Sequence, residues 1–172
     1  EMRRGWTLLH ESDCYLCEPF WGMQIAVADA ETGQVETGLE ILKEQIASAE
    51  QTGQRWFDAE LHRARGELLL RREPPDVSTA EDPFNTALEL ARGQQTRTFE
   101  LRGALGLARL YYANGRAAAV SGVLAPVLAV YGAVFVTIGL WPVGKLTGGM
   151  AAAMLLAVVA FGALTSAASR SG

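Results

Sequence analysis

The chain is poor in the residues that build metal centres and cross-linked scaffolds. Two cysteines and two histidines occur in 172 residues. That excludes a disulfide-dense fold and makes a reducing cytosol the default compartment. There is no excess of positive charge: fifteen Lys and Arg stand against nineteen Asp and Glu, a net charge of −4. A nucleic-acid footprint needs a concentrated basic face, so that class of partner is set aside. No secretory leader is visible, because Glu1-Met2-Arg3-Arg4 is charged and no apolar run follows it. An opening on Glu1, in what reads as mid-helix, leads us to expect a fragment or a processed product. Charge is also missing from one whole region: beyond Arg116 only Lys145 and Arg170 carry it. Composition thus divides the chain into a water-compatible part, 1–116, and an apolar part, 117–172.

The first part reads as helices separated by turn signals. Apolar residues at three- and four-residue spacing predict a helix over 55–72, with Trp56, Ala59, Leu61, Ala64 and Leu68 on its buried stripe. A helix over 12–33 precedes it, with Pro19 in its first turn and Gly33 at its end. A second spans 35–51, with Leu39, Leu42 and Ile46 on one face, and Gly53 stops it. Pro74-Pro75 breaks the chain, and Ser78 or Thr79 is the expected cap of a fourth helix. A fifth covers 98–113, and Asn114-Gly115 ends it.

The pairs repeat. Ala26, Gly66 and Ala108 occupy equivalent small positions in successive first helices, 40 and 42 residues apart. In the second helices, Gly38, Leu42 and Gln45 correspond to Ala80, Phe84 and Ala87, and then to Val120, Leu124 and Val127 in a third copy. A period of this length predicts an all-α stack of antiparallel helical hairpins, with units at about 15–53, 54–95 and 96–131. The pattern of a small residue, a turn glycine and then small–aromatic–Ala resembles a degenerate tetratricopeptide repeat. The runs Gln54-Arg55-Trp56, Ala59-Glu60-Leu61-His62-Arg63 and Arg65 to Leu70 make the resemblance more specific. So do Pro74-Pro75-Asp76, Ala87 to Ala91 and Leu124-Ala125-Pro126-Val127. Together they are similar to the C-terminal repeat region of large bacterial signalling ATPases, including proteins with adenylate or guanylate cyclase domains. The resemblance covers roughly 20–131 and implies a regulatory and interaction scaffold, with nucleotide chemistry in other domains. The chain departs from it at about Gly132.

The apolar part, 132–172, falls outside that likeness. Two uncharged runs are each long enough to span a bilayer, which takes about 20 residues. They predict a membrane hairpin with helices near 120–141 and 147–168, its Trp141 and Lys145 near the interface. That arrangement would anchor a cytoplasmic repeat domain in a bacterial inner membrane. Two other readings stay open: a hydrophobic cap on the end of the stack, and an altered reading frame.

Three groupings invite chemistry. Gly139 to Lys145 fits most of a phosphate loop and follows the β-branched run Val134 to Ile138. However, Leu146 holds the magnesium-ligand position and Thr147 comes one place late. His10, Cys14 and Cys17 make half a zinc site, and His62 lies elsewhere. Glu60, His62, Arg63, Arg65 and Glu67 are dense, but their three- and four-residue spacing is that of a solvated, ion-paired helix face. None is assigned, so no catalytic residue, cofactor, metal or small-molecule substrate is expected. The aromatic residues Trp56, Phe57, Phe99, Tyr111 and Tyr112 are the candidates for a partner groove. The expected function is a non-catalytic scaffold for a protein partner or for another domain of a parent chain. The alternatives are a fragment of a nucleotide-dependent enzyme using 139–147, and a small integral membrane component.

Overall fold

The computed structural model describes residues 17–140, with side chains through Gly132. The described residues are all helical: α1 Glu18–Glu31, α2 Val35–Thr52, a 3₁₀ turn Arg55–Phe57, α3 Asp58–Leu69, α4 Val77–Gly93, α5 Arg97–Ala113 and α6 Ala117–Leu140. The backbone divides between Gly106 and Leu107 into two compact units.

In the first unit the turns decide the boundaries. Pro19 sits in the first turn of α1, where its missing N–H costs nothing. Gly33 then takes φ +87° and lets the Gln34 N–H donate back to the Asp29 carbonyl at 2.9 Å. This is the six-residue closure that satisfies the last carbonyls of a helix. The same closure ends α4, where the Thr96 N–H donates to the Ala91 carbonyl at 2.9 Å. There the left-handed residue is Gln95, at φ 56°. The cap of α4 is Asp76 rather than Ser78 or Thr79: its Oδ1 accepts the Thr79 N–H at 3.1 Å. Thr79 supplies the orphan donor of the first turn instead of satisfying it.

Helix α1 packs on α2, α2 on α3 and α3 on α4, and α1 also reaches α3. Small residues set how closely they approach. A Cβ on Gly38 would lie 2.5 Å from the Ala26 carbonyl oxygen and 2.8 Å from Leu68 Cδ2. Leu42, Leu61, Leu68 and Ala80 are buried around this seam. Phe84 is fully buried, its ring pressed between two glycines. A Cβ on Gly66 of α3 would come within 2.9 Å of the ring, and one on Gly106 of α5 within 2.4 Å. Ala87 and Leu88 close the same α4–α5 contact opposite Gly103. The small positions nominated by spacing, Ala26, Gly38, Gly66, Ala80, Ala87 and Ala108, are all buried, and Gly106, which was not nominated, abuts Phe84.

In the second unit Leu107, Ala108, Leu110, Tyr111 and Val127 are buried, whereas Leu124 is only half-buried. Gly115, at φ 72°, lets the Arg116 N–H donate to the Tyr111 carbonyl at 2.8 Å. The Arg116 guanidinium lies 4.1 Å from the centre of the Tyr111 ring. Helix α6 carries no charge. Among the described residues, no helix is long and apolar enough to cross a membrane. The expected span 120–141 runs past the described side chains, and 147–168 lies outside the described residues.

Candidate functional site

The candidate site is an edge of the first unit where the starts of alternate helices meet. The first turn of α1 carries Phe20 and Trp21, the 3₁₀ turn before α3 carries Trp56 and Phe57, and the first turn of α5 carries Phe99. Trp21, Phe20, Phe57 and Phe99 form a continuous row, and Trp56 branches from Phe57. Trp21 lies edge-on to Phe20 with centroids 5.2 Å apart, and Phe20 lies 5.8 Å from Phe57. Phe57 in turn meets Trp56 at 4.9 Å and Phe99 at 5.7 Å. These are favourable edge and tilted geometries, each contributing roughly 1 kcal/mol beyond its buried area. Phe57 is buried at the centre, while Trp21 is 39% and Trp56 43% exposed.

The row is held in register by a second tier one helical turn further in. Phe57 and Phe99 are 42 residues apart, and so are Glu60 and Arg102, whose Oε2 and Nη1 lie 2.8 Å apart. Two contacts with one offset require α3 and α5 to run side by side in the same direction. Glu60 has no exposed surface, and its Oε1 accepts from Arg63 Nε at 3.0 Å. Arg63 is itself buried and also pairs with Glu67. The ion pairing expected of this face is present, with Glu67 partly exposed, but Glu60 and Arg63 form a buried ionic core rather than a solvated one. Its charges are tolerated because each has an opposite partner at contact distance.

Two further buried carboxylates lie at this edge. Asp58 accepts from Arg55 Nε at 2.7 Å through its Oδ2. Glu100 accepts from Arg92 Nε and Arg97 Nη1, both at 2.8 Å. Burial pushes the Glu100 carboxyl up, but the hydrogen bonds and charges of the two guanidiniums outweigh it and hold the carboxyl below its ordinary value. Burial also lowers His62, against the smaller opposing pull of Asp58. Gln94 Nε2 donates to the Arg55 carbonyl at 2.6 Å, tying the end of α4 to the 3₁₀ turn.

The first unit has one other concavity of note. An open cleft of about 1070 Å³ lies between the α1–α2 turn and the 71–76 loop. Arg72 reaches across it and grips Glu36 with two hydrogen bonds, Nε to Oε1 at 2.8 Å and Nη2 to Oε2 at 2.7 Å. The fork holds the Glu36 carboxyl below its ordinary value. Arg72 also pairs with Asp76 at 3.4 Å, so this contact acts as a strut between the loops.

Of the groove residues nominated by sequence, the structure brings Trp56, Phe57 and Phe99 together. Tyr111 is buried in the second unit, and Tyr112 there is 76% exposed. The nomination missed Phe20 and Trp21, whose signal was two adjacent aromatics opening a helix. Cys17 is an exposed free thiol, while His10 and Cys14 lie outside the described residues. Among the described residues, no group of three His, Cys, Asp or Glu is placed to hold a metal ion. Of the phosphate-loop stretch, Gly139 and Leu140 end α6, and Trp141 to Thr147 lie outside the described residues. The run Val134 to Ile138 is helical and does not supply the strand that a phosphate loop follows. Comparison with protein-family models, with curated proteins and with solved structures returns no match.

Proposed function

We propose that the chain is a helical-repeat scaffold that works by holding a protein segment, either from a partner or from another domain of a parent chain. One observation carries this reading: the first turns of α1 and α5 and the turn leading into α3 set four aromatic rings in a row, with Trp56 branching from Phe57, and leave Trp21 and Trp56 partly exposed. Large aromatic side chains left at a surface are where interfaces concentrate their binding free energy. The shared offset of 42 residues between the Phe57–Phe99 and Glu60–Arg102 contacts supports a stack that repeats by translation. On the resemblance to tetratricopeptide-like regions of bacterial signalling proteins, the setting is a cytoplasmic regulatory chain whose chemistry resides in other domains.

The test is selection of ligands from an unbiased displayed-peptide library, followed by titration of each winner against the Trp21→Ala and Trp56→Ala variants. The scaffold reading expects winners whose affinity falls at least about tenfold in one or both variants. Winners indifferent to both tryptophans would refute the assignment of this edge. A thermal stabilisation of several degrees by ATP or GTP would favour the nucleotide-dependent alternative instead.

A further inference from the structure

We infer that the segment held on the aromatic row is acidic as well as apolar: a short peptide carrying Asp or Glu next to Phe, Leu or Trp. This rests on the scaffold reading and goes further by assigning the partner's charge. The argument comes from how the edge distributes its ions. Asp58, Glu60 and Glu100 are all buried, each behind an arginine. Those arginines face out: the side chains of Arg55, Arg97 and Arg102 are 53%, 52% and 49% exposed. Every one of these ion pairs is therefore oriented with its anion inward and its cation outward. Arg55 adjoins Trp56, Arg97 opens the helix turn that carries Phe99, and Arg102 lies one turn below Phe99 on α5. An approaching chain meets the exposed guanidinium of Arg55 next to Trp56 and those of Arg97 and Arg102 near Phe99, although the protein as a whole carries a net charge of −4. Glu50, on α2, is the exposed carboxylate whose field also reaches Arg55, and it acts more weakly than Asp58 does.

The chemistry selects the partner. A guanidinium presents five N–H donors in a planar fork, and those not engaged by its first carboxylate donate to a second. A lysine-bearing segment would gain the same aromatic contacts but would meet three cations on arrival, and like charges across an interface disfavour the wrong partner. The flanking indoles seat apolar side chains and strengthen each ionic contact by excluding water.

Three synthetic fluorescein-labelled twelve-residue peptides test this, with binding read by anisotropy on the full chain. One alternates Asp and Glu with Phe and Leu, the second replaces every acid with Lys, and the third keeps the acids but replaces the apolar residues with Ser. The first is expected to bind, and to weaken about tenfold between 50 and 500 mM NaCl as the charges are screened. The other two are each expected to bind at least about tenfold more weakly. Arg97→Gln is the cleanest variant, because Arg92 still satisfies Glu100. With an unchanged melting temperature it should lower the affinity of the first peptide by about threefold and its salt dependence with it. Arg102→Gln provides a second variant, since Arg63 still pairs with Glu60. Equal binding of the Lys peptide, or salt-independent binding, would overturn the charge assignment while leaving the scaffold reading intact. Failure of the acidic peptide alongside successful winners from the unbiased library would do the same. Failure of both the three peptides and the library would remove the scaffold reading as well.

Discussion

Phe84 offers a test of packing whose sign can be reversed at will. Alanine in place of a helix-interior glycine ordinarily stabilises by about 1 kcal/mol, because glycine has more backbone freedom to lose. At Gly106 the new Cβ would stand 2.4 Å from the Phe84 ring, and at Gly66 2.9 Å, both too close for real carbon contacts. The ring cannot retreat from one glycine without being driven into the other. Overpacking of this kind costs about 1–3 kcal/mol. Gly106→Ala should therefore be net destabilising by roughly 1 kcal/mol, and the Gly66/Gly106 double alanine variant by more than the two singles added together. Removing the ring reverses the sign. In a Phe84→Ala background, itself about 3–5 kcal/mol less stable, the same glycine replacements fill space and should stabilise by about 1 kcal/mol each. The assay is thermal or urea unfolding of these variants with and without Phe84, where 1 kcal/mol corresponds to about 2–4 °C in a chain of this size. If Gly106→Ala has the same sign and size with and without the ring, the clamp does not exist.

Other outcomes follow from the turns and the buried ions. Gln95 holds φ 56° without being glycine, so Gln95→Gly should raise stability by about 1 kcal/mol in urea unfolding, and an unchanged midpoint would contradict the strained turn. Arg63→Met leaves the fully buried Glu60 with Arg102 alone; the expected loss is about 3 kcal/mol, checked by the shift in unfolding midpoint. Stability should also track two titrations. Glu100 is held below its ordinary 4.5, so its contribution is complete above that pH and is lost as pH falls through its lower folded value. His62 is lowered from 6.5 by burial, so stability should begin to fall as pH drops below 6.5. Melting temperatures measured from pH 8 to pH 3 should show both slopes, with Glu100→Gln flattening the lower one and His62→Gln the upper.

The helix breaks were legible because their causes are local. Gly33, Gly53 and Gly115 all take the left-handed conformation that the turn readings required. Gln95 takes it too, and nothing in its side chain announces this; Gly93, two residues earlier, is helical. The seam was legible in part, since Gly66 and Phe84 were both picked out as packing positions, although not as each other's partners. Gly106 was not, because its role depends on which face α5 turns toward α4, and a small residue two places away fits the repeat equally well. The pairing of Arg63 with Glu60 and Glu67 was legible from their spacing, but the burial of Glu60 and Arg63 was not. Glu60 and Arg63 have the same spacing on a wet face and on a buried one, and only Arg102, from a helix far along the chain, decides between them. Trp56, Phe57 and Phe99 were picked out by residue type, but their meeting depends on the same register between α3 and α5.

Phe57 touches Phe20, Trp56 and Phe99, so one ring joins three separate beginnings of helix. The opening turns of helices usually fray independently, each on its own clock. Here loosening the turn into α3 strips contacts from both of the others, and loosening either of them strips contacts from that turn. Amide hydrogens in these three stretches should therefore exchange with deuterium as a single cooperative block, and Phe57→Ala should split that block into three rates.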